Sequence, residues 1–185
     1  MGLLDRTRLL EAIAVLLVTV PACSKQRVPT RPMETVAEAP WPAGGLPKTV
    51  WTEVPLIMGK ANLFEIEAEL DSQKVVMLLD CGAAWVVIDS KAAERLKLPL
   101  KPAEGNVGGL GTATMASHVT QIKSLNLGTY TSGPLSARVL DLSAVNQSRT
   151  FNGDRAIDGL IGAAYLIDHM GVISYPSKKL YLRRN

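Results

Sequence analysis

Asp80 closes an unbroken apolar run, Val75-Val76-Met77-Leu78-Leu79, and is followed by Cys81-Gly82-Ala83. A carboxylate brought to the end of a buried strand is costly unless it is hydrogen-bonded or used in acid–base chemistry. Gly82 permits a sharp turn from that run into Trp85-Val86-Val87-Ile88. The local pattern leaves two readings of Asp80, a turn cap and a working acid–base group. A second segment, Ile157-Asp158-Gly159-Leu160-Ile161-Gly162, holds another acid beside a glycine. Asp158 is a conceivable second carboxylate, although an acid in that setting is more often a turn former.

Other chemistries fit less well. Cys81-Gly82-Ala83-Ala84-Trp85 superficially resembles the papain nucleophile segment, but Ala84 stands in the nucleophile's place. Spacing leaves a Cys81–His118 pair open, with nothing local to support it. There is no Gly-x-Ser-x-Gly, and two isolated histidines without paired thiols give no zinc signature, so neither metal nor cofactor is expected. Residues 105–114, GNVGGLGTAT, lack the lysine and Ser/Thr of a phosphate-binding loop, and no helix pattern follows at once. Glu65, Glu67 and Glu69 alternate with apolar residues and read as a solvated strand face rather than a metal or acid–base group.

The elements that must position Asp80 are mostly strands. Residues 64–70 alternate strictly, a half-buried strand, and Asp71-Ser72-Gln73 is its turn. The run 75–79 reads as a strand covered on both sides. After residues 85–88, Ser90 is positioned to cap a short helix through Leu96, and Pro99 marks its end region. Further strands are expected around 119–127 and 135–140. A helix at 163–170 should close with Gly171 in the left-handed conformation, with His169 set to favour the helix dipole. The chain finishes as a hairpin, with Val172-Ile173-Ser174-Tyr175 and Leu180-Tyr181-Leu182 about a Pro176-Ser177 turn. Without alternating long helices, this is a compact all-β, barrel-like domain with one or two short helices, spanning residues 49–185.

Two segments precede it. Arg6 and Arg8 come before an uncharged apolar stretch at residues 12–22, too short to span a bilayer but shaped like an export leader. It ends Val20-Pro21-Ala22-Cys23. Small residues before a cysteine resemble the lipobox of bacterial lipoproteins, in which Cys23 would carry lipid; cleavage after Ala22 and a plain buried helix are the competing readings. Residues 24–48 hold a proline-rich polar tether, since six of the 11 prolines lie at or before Pro47. An exported, periplasmic or cell-envelope protein with a membrane anchor at residue 23 follows. Cys81 is then a lone thiol, because the chain has only 2 cysteines. The net charge of +3 is small and scattered, with no basic stripe, so nucleic acid is not an expected partner.

Taken together, Asp80-Cys81-Gly82-Ala83 and Leu160-Ile161-Gly162 resemble the two ordered motifs of retropepsin-like aspartic proteases, especially bacterial single-lobe ones. The first is Asp-Thr-Gly-Ala after an apolar strand; the second is two apolar residues and a glycine before a short helix. The resemblance spans roughly residues 49–184 and implies a single-lobe barrel acting as a C2 homodimer on peptide or protein substrates. It implies Asp80 as the catalytic residue, with Cys81, Gly82, Ala83, Leu160, Ile161 and Gly162 as supporting loops. Val107, Gly108, Gly109, Leu110 and Gly111 fall at the position of the substrate-binding flap. Since only one Asp-x-Gly is present, the second carboxylate would come from another copy. Cys81 stands where the family has threonine or serine, and Ala84 where it often has a small hydroxyl residue. A thiol is a weak donor and a weak acceptor, which loosens the expected tie between aspartate loops. Three functions therefore compete: an aspartic endopeptidase, a weak or inactive retropepsin-like domain that binds extended peptides by strand addition, and a structural lipoprotein.

Overall fold

Phe64, Ile66, Ala68 and Leu70 recur every second residue, so the strand they form has an apolar face that must be covered. The computed structural model describes residues 46–103, 107–109, 112–115 and 117–184. Its chain runs β1 (Trp51–Pro55), β2 (Ile57–Met58), β3 (Phe64–Leu70), β4 (Gln73–Leu79) and β5 (Val87–Asp89). Next come α1 (Ser90–Arg95), β6 (Lys101–Pro102), and the paired β7 (Val107–Gly109) and β8 (Thr112–Met115). Strands β9 (His118–Ile122), β10 (Leu125–Leu127), β11 (Tyr130–Ser132) and β12 (Leu135–Leu140) lead to α2 (Ser143–Phe151). The chain ends with β13 (Gly159–Ile161), α3 (Ala163–Asp168), β14 (Val172–Ser174) and β15 (Lys179–Arg183). The export leader and nearly all of the proline-rich tether, with Cys23, lie outside the described residues, as do Leu110 and Gly111.

The main sheet has the order β11-β10-β3-β4-β13-β5-β12-β9-β6, with β2 on β3, and β1-β15-β14 form a second sheet. Its central feature is an insertion: β13 lies between β4 and β5, parallel to the first and antiparallel to the second. The two strands joined by the Asp80 loop are therefore separated by a third strand from later in the chain. The main core takes Ile66, Ala68, Leu70, Val75, Met77, Leu79 and Ile88. On the other side, Leu78, Val87, Leu140, Leu142, Ile157 and Leu160 form a second cluster, joined by Val145 of α2. Strand β4 is thus covered on both faces, as its continuous apolar run requires.

Several local expectations are corrected. Glu65 is not solvated: it is 3% exposed. Its carboxylate pairs with buried Arg149 of α2 and with Arg155 at 2.5 Å. Glu67, 70% exposed at its side chain, remains a surface residue with Arg155 at 3.1 Å. Helix α2 is a third helix that hydrophobic spacing does not announce, because its only fully buried residue is Arg149. At α1 the cap position is held by Asp89 rather than Ser90, and it makes no side-chain cap bond. The Asp89 carboxylate instead accepts from Leu142 N at 2.9 Å, tying β5 to the start of α2. At the end of α3 it is Met170, not Gly171, that has positive φ (48°). Burial lowers the pKa of His169, which favours a neutral ring that can add little to a helix dipole. Its Nδ1 lies 2.7 Å from the Tyr130 hydroxyl, a packing role.

The Glu65 cluster generates a stability prediction. Removing one partner of a buried ion pair leaves a charge unmatched and costs about 3–5 kcal/mol, while an exposed pair is worth about 0–1 kcal/mol. Glu65→Gln should therefore lower the urea midpoint by an amount equivalent to about 3–5 kcal/mol, with Glu67→Gln within about 1 kcal/mol of wild type. Equal effects from the two substitutions would contradict this account.

Candidate active site

Strand β4 ends at Leu79 and delivers Asp80 half-buried at the start of a tight loop. The Asp80 N–H donates to Ile161 O at 3.0 Å, and Ala83 N donates to Asp80 O at 3.1 Å. The carboxylate Oδ1 accepts from Gly82 N at 2.9 Å. A Cβ on residue 82 would sit 3.2 Å from that oxygen, so glycine keeps the carboxylate uncrowded. Among the described residues no cation pairs with Asp80.

The Leu160-Ile161-Gly162 segment lies directly beneath this loop. Ala163 N and Ala164 N, in the first turn of α3, donate to Ala83 O at 2.7 Å and Ala84 O at 3.0 Å. The loop that carries Asp80 thereby satisfies helix N–H groups that have no partner within the helix. Gly162 is where the two segments cross. A Cβ there would lie 2.1 Å from Trp85 O and 2.7 Å from Ala83 O, both backbone atoms that cannot swing aside. The two motifs found in the sequence are therefore brought together, with Cys81 and Gly82 exposed and Ala83 half-buried.

Asp158 is not brought to Asp80. It lies at the far end of β13, where its N–H donates to Val76 O at 2.7 Å and its Oδ2 accepts from Val76 N at 2.9 Å. Arg95 pairs with its other oxygen at 2.6 Å. Val76 is four residues from Asp80 along β4, about 13 Å at strand rise. Asp158 fastens β4 and α1, and its role is structural. His118 fares likewise: it is aligned with Val139 of β12, which is in turn aligned with Ile88 of β5. Two strand spacings place it about 10 Å from Ile88, on the far side of β12 from the Cys81 loop.

Val107, Gly108 and Gly109 lie in β7, which pairs with β8 as a separate two-stranded hairpin with a register irregularity between residues 107 and 109. Two residues that motif reading did not single out also adjoin the Asp80 loop. Trp85 is exposed at the exit of the loop, and the Arg138 guanidinium lies 4.9 Å from its ring centroid. The sequence reading places Trp85 at the start of a strand and at the end of the papain-like segment, but β5 begins only at Val87, and nothing in the sequence pairs Trp85 with Arg138, which β12 brings in from 53 positions away.

An apolar strand ending in an aspartate, crossed by a glycine segment from an inserted strand, defines the candidate site of this mostly β domain. The profile of the aspartyl protease family matches residues 66–165, and the chain belongs to that family. No curated protein matches it in sequence. Among solved structures it is similar to a retropepsin-like aspartic protease from Rickettsia conorii, with 18% identity and a TM-score of 0.49 over 72% of this chain and 90% of that one. It is also similar to the retroviral protease-like domain of Ddi1 from Leishmania major, with 17% identity and a TM-score of 0.43 over 65% and 87% of the two chains. For the EIAV protease complexed with the inhibitor HBY-793, the values are 17% and 0.43 over 56% and 85%.

The crossing predicts the effect of one methyl group. Gly162→Ala must displace the backbone at Trp85, an overpacking cost of about 3 kcal/mol, whereas Gly133→Ala, with nothing within 4 Å, should change stability by about 0.5 kcal/mol or less. Urea unfolding of the two variants measures the contrast; an unperturbed Gly162→Ala protein would show that the crossing is looser than described.

Proposed function

We propose that this chain is an envelope-anchored, retropepsin-like aspartic endopeptidase whose site is completed by two Asp80 carboxylates in a C2 homodimer. The observation that carries this reading is the Asp80 loop itself: a carboxylate held by backbone bonds, without a cation among the described residues, in a member of the aspartyl protease family. The second carboxylate that the motifs offered, Asp158, is committed to Val76 and Arg95. A single chain thus supplies one half of the required acid–base pair, and an isologous copy supplies the other.

Two carboxyl groups about 3 Å apart share one proton. The ionised one takes a proton from a water molecule between them, and the protonated one passes its proton to the substrate carbonyl oxygen. Water oxygen bonds to the carbonyl carbon, giving a tetrahedral diol. Proton return to the amide nitrogen then lets the C–N bond break, and the shared proton is restored. The β7–β8 hairpin acts as the flap that covers an extended peptide and excludes water. The exposed Cys81 thiol favours a second reading, a weakly active or inactive domain that holds peptides without cutting them, because it ties the two loops less firmly than a hydroxyl.

Asp80→Asn removes the titratable group at nearly constant size, so the fold should survive while hydrolysis of a peptide library stops. Wild-type activity should peak at acidic to mildly acidic pH, where the pair is singly protonated, and specific activity should fall on dilution as dimers part. An active Asp80→Asn protein, or full activity in a preparation shown by light scattering to be monomeric, would refute the reading. Binding of peptides without cleavage at any pH would favour the second one.

The anchor is proposed from the leader and Cys23. Palmitate labelling should mark the wild type and not Cys23→Ala. Equal labelling of both, or a soluble unlabelled wild type, would remove the lipid; retention in the cytoplasm would remove export.

A further inference from the structure

The Trp85 ring is 44% exposed as the chain leaves the Asp80 loop, while its backbone is pinned against Gly162. Arg138 lies over the ring, its guanidinium carbon 4.9 Å from the centroid. Strand pairing sets it there: Arg138 is in register with Val87, and its N–H donates to Val86 O at 2.9 Å. Arg138 Nη1 reaches Ser117 Oγ at 3.4 Å, and residue 117 lies two positions after β8, the second strand of the hairpin. Arg138 thus joins the aspartate loop to the root of that hairpin.

Arg138 is half-buried as a residue. Among the described residues, the other arginine that is not exposed, Arg149, is matched by Glu65. Among the described residues Arg138 is paired with no carboxylate. A guanidinium held on an aromatic face keeps its N–H edge for an acceptor in its plane, and a carboxylate is the acceptor that edge fits best. An indole beside it offers apolar surface to methylene groups. The pair is therefore a preorganised receptor for a short acidic side chain, next to a loop that would hold the scissile bond.

Resting on the endopeptidase reading, we infer that Trp85 and Arg138 form a substrate subsite that selects peptides with Asp or Glu near the cleaved bond. Five loop residues reach at most about 18 Å, so the acidic residue lies within about five positions of that bond.

The test separates binding from turnover by using the full-chain Asp80→Asn protein. Fluorescent peptides in which one Glu is walked along an otherwise neutral sequence are compared with their Gln counterparts. At one position Glu should bind about tenfold more tightly than Gln, the scale of a hydrogen bond to a charged group. Adding Arg138→Leu should bring that ratio near one, and Arg138→Glu should transfer the preference to Lys. Trp85→Leu should reduce the ratio severalfold, and added salt should weaken it. If Arg138→Leu does not fold, Trp85→Leu and the salt series carry the test.

A Glu-to-Gln ratio near one at every position, or one that survives Arg138→Leu, overturns the subsite. Peptides bound or cut without an acidic preference overturn the subsite alone. If Asp80→Asn binds no peptide and the wild type cuts none, the endopeptidase reading falls and the subsite with it.

Discussion

The backbone crossing at Gly162 is the constraint from which the site follows. Asp80 N–H and Ile161 O are joined across it, and the Ala83 and Ala84 carbonyls cap α3 from above. None of this is possible with a side chain at residue 162, because the carbonyl of Trp85 occupies the place of its Cβ. The crossing in turn requires β13 to run between β4 and β5, and the same steric limit recurs three residues earlier. At Gly159 a Cβ would meet Val87 O at 2.2 Å. Two glycines three residues apart, each with a neighbouring carbonyl inside contact distance of a Cβ, thus set the spacing of three strands, and Asp80 is held at the end of one of them. A carboxylate positioned this way keeps its orientation by backbone hydrogen bonds, without an ion pair among the described residues.

The buried charges beneath the second core cluster follow a different logic. Glu65 and Arg149 are each 4% exposed at the side chain, and burying such a pair brings no assured gain over apolar residues of the same size. Their effect is to specify where α2 lies. Arg149 Nε also donates to Arg155 O, and Asn146 of α2 exchanges hydrogen bonds with the backbone of Ile157. Helix α2 is thereby fixed to the segment that leads into β13. Polar registry on one side of the sheet and backbone crossing on the other hold the same inserted strand.

Legibility in the sequence divides along these lines. The apolar run into Asp80, the alternation in β3 and the terminal hairpin announce themselves because one side-chain period governs each of them. The site pair, residues 80–83 and 160–162, was visible as two short motifs in the right order, but their contact was not, since it is made by backbone atoms. Glu65 was misread because alternation tells which residues share a face and not what covers that face. The cover is α2, whose buried residue is an arginine, so no apolar stripe marks it. Gly171 looked like the natural left-handed residue after α3, yet Met170 takes that conformation. Gly171 N donates to Leu166 O at 2.6 Å, and Leu166 Cδ2 would lie 3.0 Å from a Cβ at residue 171. Glycine is needed there for close packing instead of for its dihedral freedom.

Cys81 is the one residue at which the scaffold and the proposed chemistry pull apart. Among the described residues, the hydrogen bonds that hold Asp80 all come from or go to main-chain groups, and they are indifferent to whether residue 81 is a thiol or a hydroxyl. In the proposed homodimer a hydroxyl would add a bond between chains; the Cys81 side chain is exposed in the isolated copy. A neutral hydrogen bond contributes about 0.5–1.5 kcal/mol net, and a thiol recovers only part of it. The consequence falls on association rather than on folding. In a site assembled from two copies, weaker association lowers the fraction of chains that hold a complete acid–base pair, while each pair, once formed, retains the geometry set by Gly162. In the proposed homodimer, a thiol at this position is therefore compatible with a competent aspartic site whose activity would be governed by local concentration, and the proposed membrane anchor would be one physical means of raising it.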